Sequence, residues 1–293
     1  MLSLHTNAAT LSAQNSLGRT QTALSTSMTR LSTGFRINSA MDDAAGLQIA
    51  TRLKAQTSGM AVAMRNTQNS ISMLQTAEGS LNEVTNILTR MKDLATQSAD
   101  GSSGDSDRTA MQAEFDSLSD ELGNIMANTK FGGTALLQDG TGKLATAIQF
   151  QIGSDEAETM SGDFATELGN VHTAIAAAAT QYDGAAATAI TTAGTEIDSD
   201  TSANTTIGTL ASAIDSVGAL RSKLGAVANR LDHVYNNLSN VSTNTKNATG
   251  RIMDVDFATE SANMTSKQML MQAGTAMLKQ TNSMSSMVMS LLQ

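Results

Sequence analysis

The stretch LASAIDSVGALRSKLGAVANRLDHVYNNLSNVSTNTKNATGRI, residues 210–252, places mostly apolar side chains at seven-residue spacing along its whole length. The spaced positions are Leu210, Val217, Leu224, Leu231, Leu238, Thr245 and Ile252. A repeat of this period keeps one apolar seam facing a partner helix. As a single helix the stretch would be about 65 Å long. Since the chain contains no proline to interrupt it, we expect one long helix packed against another.

A second stripe with the same spacing lies nearer the N-terminus. Its members are Leu53, Met60, Thr67, Leu74, Leu81, Leu88 and Ala95. Burying the large aliphatic side chains of one such seam contributes on the order of 10 kcal/mol before conformational entropy is subtracted. We therefore predict a mainly α fold, an elongated antiparallel helical bundle or coiled coil of N- and C-terminal segments. An isolated bundle with no further role would show the same spacing.

The composition excludes several classes of protein. Hydrophobic residues make up 40% of the chain but aromatic residues only 3%, which suits extended helix packing better than a deep globular core. The absence of cysteine excludes disulfides, zinc-thiolate sites and cysteine nucleophiles. No run of about 18 apolar residues and no secretory signal pattern is present, so we expect neither membrane insertion nor ordinary cleaved export.

The net charge of −9 lies in the middle of the chain. Residues 132–206 hold ten acidic residues and one basic residue, whereas the remaining acidic and basic residues balance. Such a segment is typical of a solvated surface and argues against nucleic acid as a partner. The spacing of the acids matches no calcium-binding loop, so we expect no metal and no cofactor.

The two termini are nearly free of charge but keep helical apolar spacing. The N-terminal stripe is Leu17, Leu24 and Leu31, and the C-terminal segment carries two stripes: Phe257, Met264, Met271, Leu278 and Leu270, Met277, Met284, Leu291. A surface helix normally covers its outer face with charge. We therefore expect both faces to pack on protein, most plausibly on neighbouring copies of the chain. A Met-rich surface that accepts several different partners is an alternative.

The remaining pattern predicts the other elements. We expect a helix over about 3–34, a capping signal at Ser39 and Asp42, and a long helix ending near residue 99. A turn at 100–107 precedes a third helix over about 111–125, and alternation predicts a strand at 147–152 with a turn at 153–156 within a small β-hairpin region. No structure is predicted for 164–205. An acid pair at Asp42 and Asp43 is better read as helix-start chemistry than as catalysis.

From these elements we predict three domains. Residues 1–44 with 255–293 form an inner terminal helical domain for polymerisation, and 45–139 with 206–254 form a rod-like helical bundle. Residues 140–205 form a short acidic, solvent-facing segment with the β-hairpin. The residues expected to carry packing and assembly are Leu24, Leu31, Leu74, Leu81, Leu88, Leu224, Leu231, Leu238, Phe257, Met264, Leu278 and Leu291.

No motif in the chain indicates an enzyme. His5, His172 and His233 are far apart, and no HExxH motif, phosphate-binding glycine loop or GxSxG motif is present. An isolated histidine in a helix is more often packed or solvated than a ligand.

Four separated motifs carry a specific resemblance. RLSTGFRINSAMDDAAGLQIA (30–50), EGSLNEVTNILTRMKDLATQSA (78–99), KFGGTALL (130–137) and TGRIMDVDFATESANMTSKQMLMQAGTAML (249–278) resemble bacterial flagellin in order and register. The resemblance covers about the first 160 and last 90 residues, and the short middle resembles family members without large outer domains. The hook-filament junction protein, a distant relative of similar layout, is the alternative.

The resemblance implies a function and a set of partners. It implies a subunit of the extracellular flagellar filament, with the termini lining an inner channel and copies meeting through unlike surfaces in an open helical fibre. The implied partners are other copies, hook-associated junction and cap proteins, an export chaperone and the flagellar secretion apparatus. It also implies recognition of the monomer by the animal innate immune receptor for flagellin, through Arg90, Leu94, Gln97 and Glu114.

Overall fold

The computed structural model describes residues 8–185 and 193–291, with the backbone alone for 284–291. The helices are α1 (Ala8–Thr33), α2 (Ala44–Ser98), α3 (Asp105–Asn128), α4 (Ala165–Ala178), α5 (Asp200–Met253) and α6 (Phe257–Leu291). Two antiparallel hairpins pair β1 (Lys130–Phe131) with β2 (Thr134–Ala135), and β3 (Ile148–Gln151) with β4 (Thr159–Gly162). The prediction of a mainly α bundle with a small β-hairpin region is confirmed.

Two compact units make up the chain, residues 1–57 with 243–293 and residues 58–242. In the first unit, which we call the terminal unit, α1 and α6 run antiparallel. Ser27 of α1 accepts a hydrogen bond at 2.8 Å from Nζ of Lys267 on α6. Further along, a Cβ added at Gly274 would lie 3.1 Å from Leu17 Cδ1. The lack of a side chain at Gly274 therefore lets the two helices approach closely.

Backbone hydrogen bonds join the segment after α1 to the segment between α5 and α6. The amide of Arg36 donates to the carbonyl of Met253 at 2.6 Å, and Val255 donates to Gly34 at 3.0 Å. The Arg36 guanidinium donates to the carbonyl of Ile252 at 2.9 Å, and so satisfies one of the free carbonyls at the end of α5. Gly34 has φ +76°, a left-handed conformation that ends α1 and that other residues adopt at a cost.

The second unit, which we call the core unit, holds one contiguous hydrophobic cluster. It combines the seven-residue stripes of α2 and α5 with apolar side chains of α3, α4 and the β3–β4 hairpin. Arg221 of α5 pairs with Glu78 of α2 at 3.0 Å, and Lys223 of α5 pairs with Glu167 of α4 at 2.6 Å. Within this unit, the predicted packing of the two stripes in one helical bundle is confirmed.

The central segment differs from the expectation. Phe150, Met160, Phe164, Leu168 and Val171 are buried in the core cluster, so residues 140–205 are not a separate solvent-facing segment. Most of their acids are exposed, which explains why charge alone suggested a solvated surface. The region 164–205, for which no structure was predicted, contains α4 and the first residues of α5.

Two further expectations need correction. The capping signal at Ser39 does not start α2, because Ser39 and Asp42 form a turn of their own and Asp43 accepts the Gly46 amide at 2.8 Å just before the helix. The unit boundaries fall inside α2 and α5 rather than at the predicted domain ends. Because α2 and α5 continue through these boundaries, no turn or loop interrupts the chain there. Across the described ranges, no helix is long and apolar enough to cross a membrane.

Candidate assembly surfaces and receptor site

Helix α6 has two apolar faces with different environments. Met264, Met271 and Leu278 are half-buried on the same side as Lys267 and Gly274, the residues that contact α1. On the other side, Met269, Leu270 and Met277 are 59%, 58% and 64% exposed. We call these three residues the outer face. The two predicted stripes therefore separate into one that meets α1 and one that faces outward.

Two of the three charged residues of α6, Lys267 and Glu260, do not cover the outer face. Lys267 points to α1, where its Nζ donates to Ser27 Oγ at 2.8 Å and to the Ala23 carbonyl at 3.4 Å. Glu260 is buried at the start of α6, and α1 has no acidic residue. An exposed apolar surface of this kind favours association with another apolar surface.

The predicted packing residues occupy three environments. Leu74, Leu81, Leu88, Leu224 and Leu231 are buried in the core unit, and Leu24 is buried in the terminal unit. Leu31, Leu238, Met264 and Leu278 are half-buried, whereas Phe257 is exposed. Leu291 lies in α6, but its side chain is outside the described part of the structure. The buried leucines are therefore available for packing within the chain and not for contacts between copies.

The four residues of the expected receptor site are only partly brought together. Arg90 of α2 and Glu114 of α3 form an exposed ion pair with N–O distances of 2.9 and 2.7 Å. Gln97 is also exposed, seven residues further along α2. Leu94 is 2% exposed and belongs to the core cluster. Leu94 therefore supports the helix from beneath, and its side chain is not part of the accessible surface.

Carboxylates in the terminal unit act as local acceptors. Hydrogen bonds from the amides of Ser39 (2.9 Å) and Asn38 (3.1 Å) lower the pKa of Asp42. Asp256 precedes α6, and the Thr259 hydroxyl (2.7 Å) and Ala258 amide (3.0 Å) lower its pKa. Such contacts stabilise turns and helix starts, and they account for these acids without a catalytic role.

His172 is packed rather than available as a ligand. Its Nε2 lies 2.8 Å from the carbonyl of Leu137, which can only accept, so Nε2 carries a proton. Its Nδ1, 2.7 Å from the Tyr182 hydroxyl, accepts from that group when the ring is neutral. Burial lowers the pKa of His172 and raises that of Tyr182. Within the described residues, no group of three or more His, Asp or Glu side chains could hold a metal ion.

The sequence did not indicate a group of hydrogen bonds between polar groups in the core unit. Gln112 of α3 donates to Asp116 (2.8 Å) and to Glu196 (2.9 Å), and its carbonyl oxygen accepts the Ile197 amide at 2.9 Å. Burial acts to raise the pKa of Glu196, but hydrogen bonds from Thr180 and Gln112 outweigh it and lower that pKa. Glu196 and Ile197 lie 84 and 85 positions from Gln112, and no local pattern in the sequence indicates contacts at that separation.

Comparisons with known proteins match most of the chain. The model of the bacterial flagellin N-terminal helical region matches residues 4–141, and that of the bacterial flagellin C-terminal helical region matches residues 207–292. Flagellin A of Vibrio anguillarum and flagellin A of Vibrio cholerae serotype O1 are each 34% identical over 381 aligned positions that cover all of both chains. These alignments are longer than the 293 residues of this chain, so it is a short form.

A solved structure shares the fold. The putative flagellar hook-associated protein from Vibrio parahaemolyticus superposes with a TM-score of 0.53, covering 73% of this chain and 100% of that one. Its sequence identity is 17%, so this similarity concerns the fold alone.

Proposed function

The chain belongs to the bacterial flagellin family, and we propose that copies of it polymerise into the flagellar filament through the outer face of α6. Flagellins are structural proteins, which agrees with the lack of catalytic motifs. The observation that carries the proposal is the exposure of Met269, Leu270 and Met277 on a helix whose opposite face already meets α1. Burying the remaining exposed part of three such side chains against a neighbouring copy contributes several kcal/mol, on the order of 1–2 each.

In such an assembly the outer face of one copy packs on a different surface of the next copy. Contacts between unlike surfaces give a closed ring if the rotation between copies closes and an open helical fibre if it does not, and we propose the open fibre. Swimming motility would then follow from rotation of that fibre. We include hook-associated junction and cap proteins as partners at its two ends, and an export chaperone and the flagellar secretion apparatus as partners before assembly.

Repolymerisation tests the proposal directly. Filaments are dissociated by mild heat or acid, and polymer formation is followed by sedimentation and electron microscopy. Leu270→Ser with Met277→Ser should raise the concentration needed for polymerisation at least tenfold. Gln268→Ser is the matched control, because Gln268 is exposed on the same helix and is not three or four positions from any residue of the outer face. Removal of 257–293 should abolish fibres, and a truncated chain that still polymerised would contradict the proposal.

The hook-filament junction protein is the alternative, since a putative flagellar hook-associated protein shares this fold. Identity of 34% to flagellins over the whole chain favours the filament subunit. Electron microscopy of the purified protein separates the two functions. Long filaments support the filament subunit, whereas chains that stay monomeric at high concentration, even with filament seeds, support the junction protein.

We also propose that the monomer is recognised by the animal innate immune receptor for flagellin through Arg90, Gln97 and Glu114. These three side chains are exposed on α2 and α3. Arginine at a protein interface offers several donors in a fixed geometry and is frequent among the residues that carry binding energy. Leu94 supports this surface from the core.

A further inference from the structure

We propose that the thioether sulfurs of Met269 and Met277 are oxidation sites that switch off assembly of the unassembled chain. This inference rests on the proposed function, because it requires the outer face to be buried in the filament. Both side chains are mostly exposed, at 59% and 64%, and Leu270 on the same helix is 58% exposed. An oxidant in solution therefore has access to the side chains that a neighbouring copy would cover.

The chemistry needs one co-reactant, a peroxide. Hydrogen peroxide transfers one oxygen atom to the thioether sulfur, so that the peroxide O–O bond breaks and an S–O bond forms. The sulfur loses two electrons, and the peroxide is reduced to water. The product, methionine sulfoxide, is polar and chiral, and reductases specific for each of its two epimers return it to the thioether.

Oxidation at these positions opposes burial of the outer face. A sulfoxide oxygen is a hydrogen-bond acceptor, and an apolar partner surface leaves it unsatisfied. The loss is expected to raise the concentration needed for polymerisation by about tenfold or more. In the filament the same sulfurs would be covered, so oxidation would act on free chains and spare assembled ones.

Exposure distinguishes these methionines from most of the others in the described part of the chain. Met60, Met91 and Met126 are buried in the core unit, and Met264 and Met271 are half-buried on the side of α6 that meets α1. Met28 and Met41 are exposed as well, but they lie on α1 and on the turn before α2. They therefore supply a control pair of exposed methionines, at 55% and 97%, outside the outer face.

The test compares three full-length proteins before and after limited treatment with hydrogen peroxide. They are the wild type, Met269→Leu with Met277→Leu, and the control Met28→Leu with Met41→Leu. Leucine keeps the outer face apolar but cannot be oxidised. Peptide mapping by mass spectrometry measures the sulfoxide at each position, circular dichroism checks the fold, and sedimentation gives the concentration needed for polymerisation.

We expect untreated proteins to polymerise alike. After peroxide, the wild type and the control pair should need at least tenfold more protein, whereas the Met269/Met277 pair should change less than twofold. Treatment of oxidised wild type with both reductases should restore polymerisation, and peroxide added to filaments should leave both sulfurs unmodified. Equal sensitivity of all three proteins would overturn the inference. Failure of the untreated wild type to polymerise would instead overturn the proposed function and this inference with it.

Discussion

Arg90 donates from Nε (2.9 Å) and Nη2 (2.7 Å) to the same oxygen, Oε1 of Glu114, and so joins α2 to α3 at the surface of the core unit. The side chains are 54% and 46% exposed. An ion pair this exposed contributes at most about 1 kcal/mol to stability. Its main effect is to hold the two side chains in fixed positions relative to each other.

The first prediction concerns recognition of this pair. Arg90→Ala should lower receptor signalling by the monomer about tenfold or more, because it removes a charged donor from the exposed surface. The free energy of unfolding should change by less than about 1 kcal/mol. Signalling is measured at matched doses, with Arg65→Ala as a control at another exposed arginine of α2. Equal signalling by wild type and Arg90→Ala would refute the receptor role.

A second prediction concerns the core. Leu88 is fully buried, so Leu88→Ala should lower the free energy of unfolding by about 2–5 kcal/mol. Leu238 is half-buried in the other long stripe, and Leu238→Ala should cost about 1 kcal/mol. Urea denaturation followed by circular dichroism measures both values. Equal losses would mean that the two positions are buried alike in solution.

Hydrogen exchange provides a third prediction. In the described parts of α1 and α6 the buried side chains are Leu24, Ser27 and Glu260, whereas the core unit holds a large apolar cluster. Amides of α1 and α6 should therefore exchange quickly in the monomer and slowly in the filament. Amides of the core unit should be protected in both states. Slow exchange of the terminal helices in the isolated monomer would contradict this prediction.

The pH dependence of stability gives a fourth prediction. Burial lowers the pKa of His172 in the folded chain below the unfolded value of about 6.5. The unfolded chain therefore binds more protons as the pH falls through about 6.5, and the free energy of unfolding decreases. Glu167 and Glu196, whose pKa values are lowered, lose their contribution only at more acidic pH.

The matched variant is His172→Gln, which keeps a donor at the same site but does not titrate. Urea denaturation should show that the free energy of unfolding of the wild type decreases between pH 7 and pH 5. The slope against pH should correspond to uptake of at most about one proton on unfolding. The variant should show a flatter profile over this range. The same slope in both proteins would exclude His172 as the titrating group.

A pair of glycines gives a fifth prediction, with opposite signs. Gly34 has φ +76°, so Gly34→Ala should destabilise the terminal unit by about 1 kcal/mol or more. Gly18 lies inside α1 with open space around it, so Gly18→Ala should stabilise that helix by about 0.5–1 kcal/mol. The dissociation temperature of filaments made from each variant is measured by light scattering during heating. A lower dissociation temperature for both variants would contradict the assignment of strain to Gly34 alone.

Periodicity predicted much of the fold because the long helices are paired through regular seams. The end of α2 near residue 99, α3, and the strand at 148–151 were all indicated by spacing or alternation. Helix α4 was missed because alanine and threonine dilute the apolar signal of Leu168, Val171 and Ile175, although these lie three and four residues apart.

The surfaces were only partly predictable. The two stripes of α6 were visible in the sequence, but only contacts such as Lys267 with Ser27 decide which stripe faces α1. Leu94 belongs to a motif whose other members are exposed, and its burial depends on side chains from α3 and α5. The hydrogen bond from the Arg36 guanidinium to the Ile252 carbonyl joins residues 216 positions apart. No local pattern in the sequence predicts a contact at that separation.

The pairing of α1 with α6 also dictates when the terminal unit can form. Lys267 and Ser27 are 240 positions apart, so a chain that is delivered N-terminus first presents α1 long before its partner arrives. Loop closure over such a distance carries an entropic cost and slows folding. Nearly the whole polypeptide must emerge before the last tertiary contacts can close. Threading through a narrow conduit is therefore compatible with this architecture, since the part that completes the molecule is the part that leaves last.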